Sequence, residues 1–426
     1  MSHRAIQPQK KALSATLRIA PSKSVTHRAL VAAALASGPS VIADPLDADD
    51  TRTTAEGLAS LGFRVDFRGA RWELEGLDGR VPGGGTIALG DSGTSFRFLT
   101  AVAGIGETVS RLDGSPRLRQ RPVQELTGAL TSLGARIALT PGGGGLPLEA
   151  GGGPVRGGSV VLSAGRSSQF TSALLLIGSR LPGGLEVILT PPAVSLPYVE
   201  VTVRVLREFG VRIERAGELR WRVAEGGYRG REFRVEGDHS SASYFLAAAA
   251  ILGGRVRAEG LDPDSAQPDA RLQRILPELG CRVRSGPDWV EIEGSGRIRP
   301  FDLDLSDAPD LVPTLAVLAL FADGPSAMRG VAHLRIKESD RLETLAGNLR
   351  RLGREASTTE DALLVGSESD RRSEGATIET ASDHRMAMAF AIAGLRIPGV
   401  TIDDAECVAK SNPDFWRDFS RLTTGS

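Results

Sequence analysis

The sequence predicts an α/β (α+β) chain in which one strand–helix unit is repeated six times and gathered into two domains. Three observations predict it. Six segments share one design: a polar start holding Ser, Asp or His, an apolar stretch, and a stop near Gly. They begin at Lys23, Asp91, Arg166, His239, Asp307 and Ser382, about 70 residues apart, a spacing that marks stacked supersecondary units. An amphipathic segment follows each of them, and five of these end in Leu-Gly or Phe-Gly, a helix stop signal. Pairs of short alternating runs, joined by Gly, Asp or Pro turns, then read as β-hairpins.

The unit is therefore strand, capped helix, strand, amphipathic helix, hairpin. In the first unit these are KSVTHRALVAAALASG, DDTRTTAEGLASLG and the hairpin FRVDFRG-ARWELEG. The second has DSGTSFRFLTAVAG and RPVQELTGALTSLG, and its Gly-rich stretch 141–158 reads as a long hairpin turn plus loop, because the repeat continues through it. The third has RSSQFTSALLLIG, LPYVEVTVRVLREFG and VRIERAG-ELRWRVAEG; the fourth has HSSASYFLAAAAILGG, QPDARLQRILPELG and CRVRSG-PDWVEIEG. The fifth has DAPDLVPTLAVLALFADG and a helix starting at KESDRL. The sixth has SDHRMAMAFAIAG and NPDFWRDFSRL, then stops in RLTTGS without a hairpin. Pro122, Pro197, Pro268 and Pro413 fall near first helical positions, where a missing N–H costs little. The residues up to about Ile19 look strand-like and have no unit of their own, so they are expected to complete the sixth. The domains are then 20–236 with units one to three, and 1–19 plus 237–426 with units four to six.

Composition narrows the function. A chain of 426 residues exceeds one ordinary core. A formal net charge of -1 argues against nucleic-acid binding through bulk positive charge. Cys281 and Cys407 are far apart, suit a reducing compartment, and form no metal or disulfide framework. The basic N-terminus lacks the apolar core of a secretory signal, and no apolar run spans a membrane. A soluble, cytoplasmic protein is expected.

A Ser- or Asp-capped helix start presents free N–H groups and a positive dipole end. Six such ends aimed at one place would make an anion-binding cleft. Lys23 and Ser24 sit at the first mouth, with Arg28 one turn inward on the face of Ser24. Lys supplies a point charge and Arg a bidentate fork. In the second unit Ser92, Gly93 and Thr94 permit close backbone approach, with Arg97 a turn away. Of Arg117, Arg119 and Arg121, the last is best placed to face a ligand. Ser167, Ser168 and Gln169 open the third unit, and Ser195 and Tyr198 precede its second helix. Asp310 is either an N-cap or an acid–base group. Lys337, Glu338 and Arg341 crowd one helix start, where Glu338 is either a salt-bridge partner or an acid or base. The sixth unit adds His384, a base or a structural residue, with Arg385 and Lys410. Cations at helix starts in a nearly neutral protein, with Asp310 and Glu338 as the obvious acids, imply a multiply anionic small ligand.

Together the strings PSKSVTHRAL, LGDSGTSFR, GSPRLRQRPV, SSQFTSALL, GDHSSASYFLAAAA, DAPDLVPTLAV, IKESDRL, DHRMAMA and KSNPDF, in this order, resemble the 5-enolpyruvylshikimate-3-phosphate synthases (3-phosphoshikimate 1-carboxyvinyltransferases), an enolpyruvyl transferase family. The resemblance spans nearly the whole chain. It implies two pseudo-threefold domains of repeated βαβαββ units, an inside-out α/β barrel, with the active site in the interdomain cleft. It implies transfer of the enolpyruvyl group of phosphoenolpyruvate to the 5-hydroxyl of shikimate 3-phosphate, on the route to chorismate and the aromatic amino acids. It implies no metal and no organic cofactor, no nucleic-acid or membrane partner, a monomer, and a cleft that closes on its substrates.

Carried over residue by residue, the resemblance gives shikimate 3-phosphate to Lys23, Ser24, Arg28, Ser167, Ser168, Gln169, Ser195, Asp310 and Lys337. It gives phosphoenolpyruvate to Lys23, Gly93, Thr94, Arg121, Gln169, Arg341, Arg385 and Lys410. The catalytic groups it implies are Asp310, Glu338 and Lys23. Two positions depart from the family pattern: His333 stands where many members carry Asn, and Phe98 where some carry Pro. A UDP-N-acetylglucosamine enolpyruvyl transferase would show Lys-Asn at Lys23-Ser24 and a loop cysteine that neither Cys281 nor Cys407 matches. A protein-binding repeat scaffold would tolerate loss of the motif cations.

Overall fold

Six segments that are apolar on nearly every side form the inner helices: α1 (Lys23–Ala34), α2 (Gly93–Gly104), α3 (Ser168–Gly178), α4 (His239–Leu252), α5 (Val312–Leu320) and α6 (His384–Gly394). A helix without a polar face has to be enclosed. Each fully buried Leu or Val adds about 1.5–3 kcal/mol, and the Ala, Leu and Val side chains of these helices make up much of the core. The outer helices carry a single apolar stripe. In Pro197–Glu208, Val199, Val203 and Leu206 are buried while Arg204, Arg207 and Glu208 face solvent. The computed structural model describes residues 2–140, 144–366 and 375–424.

The chain divides into two compact units, Ser22–Val235 and Met1–Pro21 with Glu236–Ser426. In Ser22–Val235, three sheets follow one plan: two parallel strands, then a hairpin added antiparallel to the second. Gly158–Ser163 runs parallel to Leu185–Thr190, which pairs with Arg220–Val223 and through it with Ile213–Gly217. Thr86–Ala88, Ser110–Asp113, Leu148–Ala150 and Ile137–Leu139 repeat the plan. Pro141, Gly142 and Gly143 of the expected long turn lie outside the described residues, as do Gly425 and Ser426 of the expected C-terminal stop. In the first sheet, Ala36–Ala43 pairs with Arg71–Leu77, and its parallel neighbours come from the far end of the unit, Tyr228–Arg229 and Glu232–Arg234.

The other unit mirrors that exchange. Leu13–Arg18 is the parallel neighbour of Gly254–Glu259, in the fourth sheet, beside the hairpin Arg282–Gly286 and Trp289–Gly294. Asp302–Asp304, Ser326–Arg329, Leu363–Val365 and Ala356–Thr358 form the fifth sheet. The sixth is closed by Arg4–Ala5, antiparallel to Thr401–Ile402, which runs parallel to Thr377–Ile378. The N-terminal segment thus serves two sheets, where the sequence suggested one. Only Arg4–Ala5 completes the sixth, because Leu17 and the alternating residues Leu13 and Ala15 find their apolar cover in the core beside α4. Among the described residues no helix is long and apolar enough to cross a membrane.

Candidate active site

Five of the six inner helices open on a side-chain cap. Ser22, Ser92 and Ser167 accept from the N–H groups of Val25, Ser95 and Gln169, and Asp238 and Asp383 from those of Ser241 and Arg385. Each satisfies one orphan donor, and at α4 the N–H of His239 also donates to Gln267 Oε1 at 3.1 Å. α5 has no such cap. Asp310 sits in the 3₁₀ turn Pro309–Leu311 ahead of it and gives its carboxylate to arginines instead.

In Ser22–Val235, Arg28 is 2% exposed. Its Nε and Nη atoms donate to Thr202 Oγ1 (2.7 Å), Ser24 O (2.7 Å), Ser172 Oγ (3.3 Å) and Tyr198 O (3.1 Å). All four are neutral oxygens, so the charge is solvated by dipoles and answered by no carboxylate among them. Burial pushes its guanidinium down to about 10, still far above neutrality. Lys23 pairs with Asp50 at 2.9 Å. A buried chain of hydroxyls runs behind that pair, from His27 Nδ1 through Thr54 and Ser95 to Ser92, each step 2.7 Å, with Ser95 Oγ also donating to Asp50 O.

Gln169 Nε2 donates to Thr94 Oγ1 at 3.0 Å, which joins the starts of α3 and α2. Arg121 lies against Gly93 so closely that an added Cβ would stand 2.4 Å from its Nη1. Ser195 is buried with φ of 57°, a left-handed conformation uncommon outside Gly, at the turn that leads into Pro197–Glu208. Ser167 caps α3, and Ser168 is its first, buried residue. Arg97 differs from expectation. It points into the core and donates to Gly93 O and Pro122 O, so it fixes the backbone on which Gly93 and Arg121 stand. Arg119, itself exposed, is spent on half-buried Asp113.

In the compact unit Met1–Pro21 with Glu236–Ser426, Arg341 is 2% exposed and bonded to three carboxylates: Asp310 at 3.0 Å, Glu338 at 2.7 Å and Asp383 at 2.7 Å. Burial works against its charge, yet Asp383, Glu338 and Asp310 outweigh burial and hold the guanidinium more firmly ionised than usual. Arg385 binds the other oxygen of Asp310 at 2.7 Å and reaches Tyr244 Oη at 3.4 Å. Asp310 therefore accepts from two guanidiniums, and Glu338 shares one of them. An anion arriving here competes with carboxylates for both arginines.

Three residues fall away from the helix mouths where the sequence put them. The helix expected to open at Lys337 begins at Arg341, because Asp340 caps it by accepting from Glu343 N–H. Lys337 and Glu338 lie in the connection between it and the 3₁₀ turn Ala332–Ile336, and Lys410 ends another 3₁₀ turn, Ala405–Lys410. Pro122 lies ahead of the helix Gln124–Ser132 and is not its first residue. His333 is buried; burial, then Lys337, push it down to about 3, so its imidazole is neutral.

Sequence reasoning missed Asp50, Asp383 and Asp269. Asp383 had a signal, since an Asp ahead of an apolar run is an N-cap. Asp50 and Asp269 had a weaker one: both stand at the start of the outer helix, in the first unit and the fourth. Among the described residues no group of three or more His, Cys, Asp or Glu could hold a metal ion.

A model of the EPSP synthase (3-phosphoshikimate 1-carboxyvinyltransferase) family matches residues 7–419. The 3-phosphoshikimate 1-carboxyvinyltransferase of Methanoculleus marisnigri is 44% identical over 399 residues, covering 93% of this chain and 94% of that relative. The protein of the same name from Syntrophobacter fumaroxidans is 44% identical over 421 residues, covering 96% and 97%. Among solved structures, an EPSP synthase from Acinetobacter baumannii has a TM-score of 0.82 at 27% identity, covering 99% of this chain and 98% of that one. The enolpyruvyl transferase NikO from Streptomyces tendae, at 22% identity and a TM-score of 0.78 over 98% and 96% of the two chains, shares the fold. A match of this length, together with arginines and acids drawn from the motifs in order, makes the chain a member of the EPSP synthase family.

Proposed function

We propose that this chain transfers the enolpyruvyl group of phosphoenolpyruvate to the 5-hydroxyl of shikimate 3-phosphate and releases phosphate, on the route to chorismate. The observation that carries the reading is Asp310: its two oxygens are held by Arg341 and Arg385, and a second acid, Glu338, sits on the same Arg341. Transfer by addition and elimination needs such a set. One group takes the proton of the attacking hydroxyl, another protonates the donor methylene carbon and later removes a methyl proton, and cations hold the phosphate that leaves.

In this reading Asp310 takes the hydroxyl proton, while Glu338 and Lys23 move the proton at the methylene carbon and serve the leaving group. Ser24, Arg28, Ser167, Ser168, Gln169, Ser195 and Lys337 hold shikimate 3-phosphate. The charge of Arg28 supports that role, since a buried cation paired with no carboxylate among the described residues favours an anion beside it. Gly93, Thr94, Arg121, Gln169, Arg341, Arg385 and Lys410 hold phosphoenolpyruvate. The donor displaces Asp310 from an arginine, which frees the carboxylate as a base at the moment a base is needed.

Phosphate release from phosphoenolpyruvate tests the reading, with shikimate 3-phosphate or UDP-N-acetylglucosamine offered as acceptor. Release is expected with shikimate 3-phosphate alone. Turnover confined to the sugar nucleotide would reverse the assignment.

A further inference from the structure

Asp50 and Asp269 hold the same place in the repeat, the second residue of the helical turn that opens the outer helix. Their surroundings differ. Lys23, the first residue of α1, brings its ammonium 2.9 Å from Asp50. The first residue of α4 is His239, and its Nε2 lies 2.9 Å from Asp262 O instead. Asp269 is 2% exposed, and among the described residues no ammonium or guanidinium is bonded to it. Its Oδ2 accepts from Ser240 Oγ in a short contact, and its Oδ1 has no hydrogen-bond partner among the described residues. Ser240 Oγ also stands 3.5 Å from Arg385 Nη2, the atom that grips Asp310 at 2.7 Å.

We propose that Asp269 is a positioning residue of the transfer reaction: through Ser240 it sets how tightly Asp310 holds Arg385, and so how readily Arg385 passes to the anionic donor. The proposal rests on the activity proposed above. Its physical basis is a competition for one guanidinium. The charged groups acting on Asp269 are Asp310 ahead of α5, Arg385 on α6 and Asp238 at the cap of α4. Burial, with Asp310 and Asp238 beside it, pushes its carboxyl up to about 7, against the pull of Arg385 and Ser240. As a neutral acid it leaves Arg385 to Asp310. Once ionised, it draws the Ser240 O–H toward itself and turns the Ser240 lone pair to Arg385, which makes a charge-assisted chain. The Arg385–Asp310 pair loosens, and an incoming anion displaces less.

The test is the pH dependence of the donor KM in three proteins: wild type, Asp269→Asn and Ser240→Ala. Titration of the substrate phosphates is common to all three and cancels in the comparison. In wild type the donor KM should fall by about fivefold or more beyond that common change as pH rises through about 7. Asp269→Asn keeps the shape and one hydrogen bond but cannot ionise, so this extra fall should vanish, with the effect on KM larger than that on kcat. Ser240→Ala keeps the carboxyl and cuts its link to Arg385, so it should lose the same component even if the Asn variant fails to fold. A pH profile identical to wild type in either folded variant overturns the proposal and leaves the activity standing. A wild type that releases no phosphate with shikimate 3-phosphate overturns the activity, and the proposal falls with it.

Discussion

A methyl group on Gly93 would meet the guanidinium of Arg121, with Nη1, Cζ and Nη2 at 2.4, 2.6 and 2.8 Å from the added carbon. All three atoms end a flexible side chain, so the fold can yield by moving Arg121, and Gly93 has no left-handed φ to defend. Gly93→Ala should therefore leave the unfolding midpoint nearly unchanged and raise the phosphoenolpyruvate KM by about 10- to 150-fold, the loss of one charge-assisted contact of about 1.5–3 kcal/mol. An unaltered donor KM would remove Arg121 from the donor site. At this scale the sequence was readable by residue type and blind to direction. Arg97 and Arg121 look alike in the string, yet one is turned into the core toward two carbonyls and the other lies on Gly93.

The start of α6 shows what a single cap can carry. Asp383 accepts from the N–H of Arg385 at 3.0 Å and from Arg341 Nε at 2.7 Å, and it is 0% exposed. It thereby orders a helix end and balances a buried guanidinium at once. Asp383→Ala should cost about 3–5 kcal/mol in urea unfolding, because Arg341 keeps only Asp310 and Glu338, and the cap alone is worth about 1 kcal/mol. A loss below about 1 kcal/mol would mean that Arg341 does not depend on it. Asp383→Asn, which preserves an acceptor for the cap, should cost less. Helix existence was legible from apolar periodicity, which reports burial directly. Helix starts were less so: Asp340, and not Lys337, opens the fifth outer helix, because capping is decided by one side-chain oxygen meeting one N–H.

Strand exchange gives the two compact units unequal independence. Ser22–Val235 contains every strand of its three sheets, since Tyr228–Arg229 and Glu232–Arg234 return to pair with Ala36–Ala43. The other unit is split, and Glu236–Ser426 without the N-terminus loses Leu13–Arg18 from the fourth sheet and Arg4–Ala5 from the sixth. A fragment of residues 22–235 should unfold cooperatively by circular dichroism. A fragment of residues 236–424 should show no cooperative transition until a peptide of residues 1–21 is added, because Leu13, Ala15, Leu17 and Ile19 all belong to its core. Cooperative unfolding of the 236–424 fragment without the peptide would refute the dependence.

The number of units, their helices and hairpins, and the motif residues that sit on them were determined by the sequence alone. Those features arise from local hydrogen bonding and the period of burial, which every stretch of chain carries in itself. Only the tertiary structure decided that Leu13–Arg18 pairs with Gly254–Glu259, and that Arg341 and Arg385 share Asp310. Strand partners meet through backbone groups that are the same in every strand, and ion pairs follow from which side chains packing brings within reach.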